Sequence, residues 1–77
     1  MSKLPAASGR DVIRALQLVG FEVARTVGSH HVLKKSGHAY VVTVPVHGNK
    51  SLKPGTLRRL IRDAGLSVDE FVIALRE

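Results

Sequence analysis

The run Ala39-Tyr40-Val41-Val42-Thr43-Val44-Pro45-Val46 limits the fold more than any other stretch. It is rich in β-branched residues, which pack well on a pleated surface and lose rotamer freedom in a helix. Turn signals bound it, Ser36-Gly37 before and His47-Gly48-Asn49 behind. The run predicts a strand. Pro45 has no N–H to give to a ladder, so that end must be a sheet edge or a strand terminus. The chain has 77 residues and no cysteine. Neither a disulfide nor a Cys-based zinc site can hold the strand in place, and aliphatic packing in one modest core must do so. The residues for it are present, since 44% are hydrophobic. One domain over residues 1–77 is the expectation.

The flanking sequence supplies the partners of that strand. Ser8 can cap a helix, with Asp11 three residues on. Val12, Ile13, Leu16 and Val19 recur at helical spacing, opposite Arg10, Arg14 and Gln17, and Gly20 is the stop. Phe21 to Val27 alternates as a strand. Phe21, Val23 and Val27 point one way and Glu22 and Thr26 the other, a pattern that Arg25 breaks. Gly28-Ser29 is a hairpin signal, and a second strand follows from about His30 to Lys35. His47 to Gly55 reads as a loop. A second helix then runs from Pro54 or Gly55 to Ala64. Leu57, Leu60, Ile61 and Ala64 form its apolar stripe, and Arg58, Arg59 and Arg62 face water. After Gly65, Ser67 and Glu70 form a capping box for a short last helix, with Leu66 and Phe71 as a hydrophobic staple and Val72 and Leu75 continuing its apolar side. The order is helix, three-stranded antiparallel meander, helix, short helix. This is an α+β arrangement with the helices on one face of the sheet and the other face open.

Charge narrows the partner. The net charge is +6. From Val23 to Arg62 the cations are Arg25, Lys34, Lys35, Lys50, Lys53, Arg58, Arg59 and Arg62, and no Asp or Glu interrupts them. The acids Asp11, Glu22, Asp63, Asp69, Glu70 and Glu77 lie outside that interval. A continuous cationic block of this kind fits a surface that tracks phosphates. Solubility alone would also account for it. No apolar run approaches the roughly 18 residues needed to span a membrane. The apolar stretch at Leu4 is shorter than a signal-peptide core of about 7–15 residues. A cytoplasmic chain with no membrane partner is expected.

Four histidines remain. His30 and His31 are adjacent on a strand and so point to opposite faces, which argues against their sharing one metal ion. His38 falls in the second turn and His47 in the loop after the third strand. With no cysteine and no carboxylate in the basic block, no metal site and no cofactor are expected. Which of His30 and His31 faces the helices depends on whether Val32 or Leu33 is buried, and the pattern leaves that open. An imidazole titrates near pH 6.5 and suits proton transfer near neutrality. RNA cleavage needs the 2′-hydroxyl proton removed, the charged phosphorane stabilised and the leaving oxygen protonated. DNA lacks the 2′-hydroxyl, so such chemistry favours RNA.

Gly28-Ser29-His30-His31, followed by VVTVPVHGNKSLKPGTLRRLIRDAGLS from Val41 to Ser67, resembles the HicA family, also called YcfA-like proteins. The likeness runs from the first helix through Phe71. It rests on the Gly-Ser-His turn, the Val-Pro-x-His strand end, the Lys-Pro-Gly-Thr helix start and the Arg-x-Ala-Gly-Leu stop, in that order. The resemblance implies a double-stranded-RNA-binding-domain-like α-β-β-β-α fold with an added C-terminal helix. It implies the toxin of a type II toxin–antitoxin pair, cleaving mRNA without a metal through a histidine of the Gly-Ser-His segment. It also implies a HicB-type antitoxin that covers that histidine. Carried onto this chain, the histidine is His30 first and His31 second. Ser29 would orient the turn or a phosphate. His47 matches the family's loop histidine, and packing near the strand end is its expected role. From the charge argument, Lys34, Lys35, Lys50, Lys53, Arg58 and Arg59 are the candidates for RNA backbone contacts. The alternative is a non-catalytic RNA-binding module of the same fold.

Overall fold

The computed structural model describes residues 3–77. The elements are α1 (Gly9–Leu18), β1 (Glu22–Val27), β2 (His30–Lys34), β3 (Val42–Pro45), α2 (Pro54–Asp63) and α3 (Val68–Arg76). The three strands form one antiparallel sheet in the order β1-β2-β3. This is the α+β, α-β-β-β-α architecture with an extra C-terminal helix.

Each helix begins where its sequence says it must. At α1 the Asp11 N–H donates to the Ser8 hydroxyl at 3.2 Å and the Ser8 N–H donates to the Asp11 carboxylate at 3.1 Å. At α3 the same reciprocal pair joins Ser67 and Glu70. Two free amides are satisfied at each end. α2 starts differently. Lys53 stands at its N-cap without a side-chain hydrogen bond, and Pro54 supplies the preset first turn.

The core lies between the helices and one face of the sheet. Leu33, Val42 and Val44 project from the strands onto Val12, Ala15 and Leu16 of α1, Leu57, Leu60 and Ile61 of α2, and Phe71 and Ala74 of α3. Ile13, Val19, Leu66 and Leu75 are only partly buried at its margin. On α1 and α3 the central positions therefore fall to Ala15 and Ala74, whose small side chains let the helices approach closely.

Two strand readings need correction. The third strand begins at Val42 rather than Ala39, and Tyr40 and Val41 are exposed. The cause lies at His38. Its N–H closes a turn onto the Lys35 carbonyl, and its ring nitrogen Nε2 bonds the Asp63 carbonyl at the end of α2. The chain is drawn to that helix and joins the ladder only at Val42. In the first strand, Val23 pairs with Leu33 but Arg25 pairs with Val32, so Ala24 is an extra residue, a β-bulge. The bulge reverses the alternation beyond it. Thr26 turns to the helix side opposite His31, and Val27 turns outward opposite His30. All six residues of β1 are exposed.

β3 ends against α1. Pro45 lies on the outermost strand, and the neighbouring Val46 N–H donates to the Ser29 carbonyl at 2.7 Å. Bonded and non-bonded pairs alternate in an antiparallel ladder. The His30–Pro45 pair is thus a non-bonded one, and the missing N–H of Pro45 faces the free edge. Gly9 packs directly on this point. A β-carbon there would overlap the Pro45 carbonyl oxygen and stand 3.1 Å from the Val46 Cα. The loop after β3 is held nearby, through a bridge between Ser51 and Ser8 and a bond from the Leu52 N–H to the Ala7 carbonyl at 2.9 Å.

Gly9→Ala forces backbone apart and should lower the unfolding free energy by about 1–3 kcal/mol, measured by urea denaturation. A second prediction concerns acid. Hydrogen bonds from the Ser67 backbone and then its side chain hold the Glu70 carboxyl below the ordinary glutamate value. A carboxylate so depressed contributes stability above its unfolded-state pKa and loses it as pH falls through the folded-state value. The melting temperature of the wild type should therefore fall more steeply in that acid window than that of Glu70→Gln.

Candidate nucleic-acid interface

β2 sends its two histidines to different environments. Leu33 is fully buried on the helix side, and alternation places His31 on that side with it. His31 is half-buried in a groove lined by Arg10, Ile13, Arg14, Gln17 and Val46, and its Nδ1 atom is buried without a hydrogen-bond partner among the described residues. His30 points to the open face and is exposed, flanked across the ladder by Val27 and Pro45. The question that the apolar pattern left open is thereby answered. The hairpin that presents His30 depends on Gly28, which has φ +58°, a left-handed conformation that glycine adopts without strain. Ser29 is half-buried, and its carbonyl is tied to Val46.

Pro45, the cross-strand neighbour of His30, is also one wall of a cleft completed by His47, Lys50, Ser51, Leu52, Lys53 and Thr56. Two of the charge-based candidates, Lys50 and Lys53, meet there. The first turn of α2 opens beside them with no acid and no side-chain cap. Its free amides and the helix dipole add positive potential to that of the lysines. His47 is exposed on this cleft, contrary to the expectation that it packs at the strand end.

The other candidates lie elsewhere. Lys34 is four residues along β2 from His30, about 13 Å at the rise of a strand, and it pairs with Glu22. The Lys35 ammonium sits 5.7 Å from the centre of the Phe21 ring, and its stem lies close to Gly20. The stem runs beside the Phe21 ring while the side chain stays exposed. Lys34 and Lys35 border a separate cleft with Gly20, Glu22 and Ser36. Arg58 and Arg59 are exposed on α2, and Arg59 makes an ion pair with Asp63 at 3.8 Å, one turn on. An exposed pair of this kind contributes little. The cationic block of the sequence is thus divided in space.

One cation absent from the sequence-based contact set shares the open face with His30. Arg25 pairs with Val32, and both point away from the helices. Its mismatch with the alternation was the signal, because a charge out of phase in a strand marks a bulge as readily as a loop. Among the described residues no group of three or more His, Cys, Asp or Glu side chains gathers to hold a metal ion. No helix among them is long and apolar enough to cross a membrane.

Comparison with known proteins gives a family. A family model described as the HicA toxin of bacterial toxin–antitoxin systems matches residues 9–66, from the start of α1 through the stop of α2. A search of curated proteins found no match.

The fourth histidine has a structural task. His38 bonds the Asp63 carbonyl at 2.7 Å and packs edge-on against Phe21, with ring centroids 5.3 Å apart. His38→Ala should lower stability by about 1 kcal/mol or more in denaturant titration and leave the circular dichroism spectrum of the folded state unchanged.

Proposed function

The chain belongs to the HicA toxin family of bacterial toxin–antitoxin systems, and on that footing we propose that it is an endoribonuclease that cleaves mRNA through His30. The observation that carries this reading is one row of the sheet. His30 stands exposed on the open face, and its neighbour Pro45 borders the cleft that holds Lys50, Lys53 and the uncapped start of α2. A proton-transfer group thus lies next to a phosphate-binding surface.

The chemistry follows from those groups. Neutral His30 takes the proton of a ribose 2′-hydroxyl, and the oxygen attacks the adjacent phosphorus. The O2′–P bond forms and the P–O5′ bond breaks, leaving a 2′,3′-cyclic phosphate and a 5′-hydroxyl. The leaving oxygen takes its proton from the imidazolium or from water. Lys50 and Lys53 hold flanking phosphates of the strand, which is bound through charge and so with steep salt dependence. His31, turned into the α1 groove, supports the hairpin from the opposite side of the sheet. The reaction uses no metal. A HicB-type antitoxin would silence the enzyme by covering His30, and the site of action would be the cytoplasm, where mRNA is translated.

Inducing the wild type, His30→Ala and His31→Ala in a bacterial host, with RNA integrity as the readout, tests this. His30→Ala should lose about 10²–10⁴-fold in cleavage rate with an unchanged circular dichroism spectrum. His31→Ala should lose less, and EDTA should leave the wild-type rate intact. Full cleavage by His30→Ala would reject the assignment. Salt-sensitive binding without products from any form would point to a non-catalytic RNA-binding module.

A further inference from the structure

Cleavage by an exposed imidazole still requires a cation at the reacting phosphate itself. The lysines of the cleft are separated from His30 by Pro45, and Lys34 is a strand length away. One guanidinium is nearer. Val27 faces His30 across the ladder, and Arg25 is two residues before Val27 on the same strand. Arg25 is therefore the diagonal neighbour of His30 on the open face, a relation that puts backbones about 7–8 Å apart and within reach of a long side chain. The bulge at Ala24 creates this placement. Without the extra residue, Arg25 would share the helix side with Val23.

Resting on the ribonuclease reading above, we propose that Arg25 is a second catalytic residue, one that binds the scissile phosphate and takes up the charge that grows on its oxygens. Two N–H groups of a guanidinium match two phosphate oxygens in a fixed fork, which a lysine cannot do. Its neighbours on that face are Glu22, the next outward residue towards the start of β1 apart from the bulged Ala24, with Val27, Val32 and Thr43. Glu22 stands opposite Lys34, and among the described residues Arg25 makes no ion pair or hydrogen bond with it or with any other group. The side chain is exposed and available to a strand laid across the sheet. The product of this arrangement is a base and a charge acceptor side by side. His30 takes the 2′-hydroxyl proton while Arg25 neutralises the phosphorane, and no further reactant is needed.

Single-turnover cleavage of a short RNA by full-length wild type, Arg25→Ala, Arg25→Lys and His30→Ala decides the point. Loss of one preorganised donor to a developing oxyanion lowers rates by about 10²–10³-fold. Arg25→Ala should fall by that much in kcat with a small change in KM. Arg25→Lys should recover part of the rate, and both should keep the wild-type circular dichroism spectrum. With a 2′-O-methyl RNA that cannot be cleaved, Arg25→Ala should reduce the salt dependence of binding by one phosphate, a change of about 0.7 in the log–log slope. If Arg25→Ala cleaves at the wild-type rate while His30→Ala is inactive, Arg25 has no catalytic role and the ribonuclease reading stands. If the wild type does not cleave, or His30→Ala cleaves as well as it does, that reading falls and the assignment of Arg25 falls with it.

Discussion

The contact between Gly9 and the backbone of Pro45 governs the rest of the molecule. It seats the start of α1 on the last residue of β3, at a separation that no side chain could share. The neighbouring links, Ser8 with Ser51 and Ala7 with Leu52, bring the loop after β3 to the same corner. Three consequences follow from this one junction. The apolar stripe of α1 is aligned with Val42 and Val44. The end of β3 is held so that His30 keeps a fixed neighbour. The cleft with Lys50 and Lys53 is given a floor. Core packing tolerates exchange of one aliphatic for another of similar volume, but a backbone-to-backbone approach does not.

The strand β2 separates buried from displayed side chains by the simplest means available, the alternation along its length. Its odd-numbered residues Leu33 and His31 point to the helices, into the core and the α1 groove. Its other side carries His30, Val32 and Lys34 to solvent. A sheet covered on one face only can therefore display a reactive group on a rigid support without exposing its core. The cost appears at β1. All its residues are exposed, and among the described residues no strand pairs with its outer edge, a template for wrong pairing. The bulge at Ala24 and the charged side chains of Glu22 and Arg25 disrupt that template, so one irregularity both protects the edge and aims a cation.

The positive charge of the chain behaves differently in space from its appearance in sequence. Lys35 lies over Phe21, Arg59 is engaged with Asp63, and Lys34 faces Glu22. Lys50 and Lys53 gather at the start of α2, where the peptide dipoles reinforce them. The cations that run together in sequence are thus separated in space, with Arg59 in an ion pair and Lys50 and Lys53 sharing the cleft beside Pro45.

Much of this was legible in the residues. Capping boxes at Ser8 and Ser67, the stripe of Leu57, Leu60 and Ile61, the Gly28-Ser29 turn and the β-branched run specify the elements and their order, because those preferences act over a few bonds. The Gly-Ser-His turn with the Val-Pro-x-His and Lys-Pro-Gly-Thr segments was sufficient for the family. The residues did not reveal the bulge at Ala24, the late start of β3, the partition of His30 from His31 or the joining of Pro45 to Lys50 and Lys53. Each of these depends on strand register or on contacts between distant segments, such as His38 with Asp63. Short-range preference determines what each segment of this chain becomes; only the pairing of strands and the packing of helices on them decides which side of the sheet a given histidine or arginine faces, since a one-residue change of register exchanges the two faces.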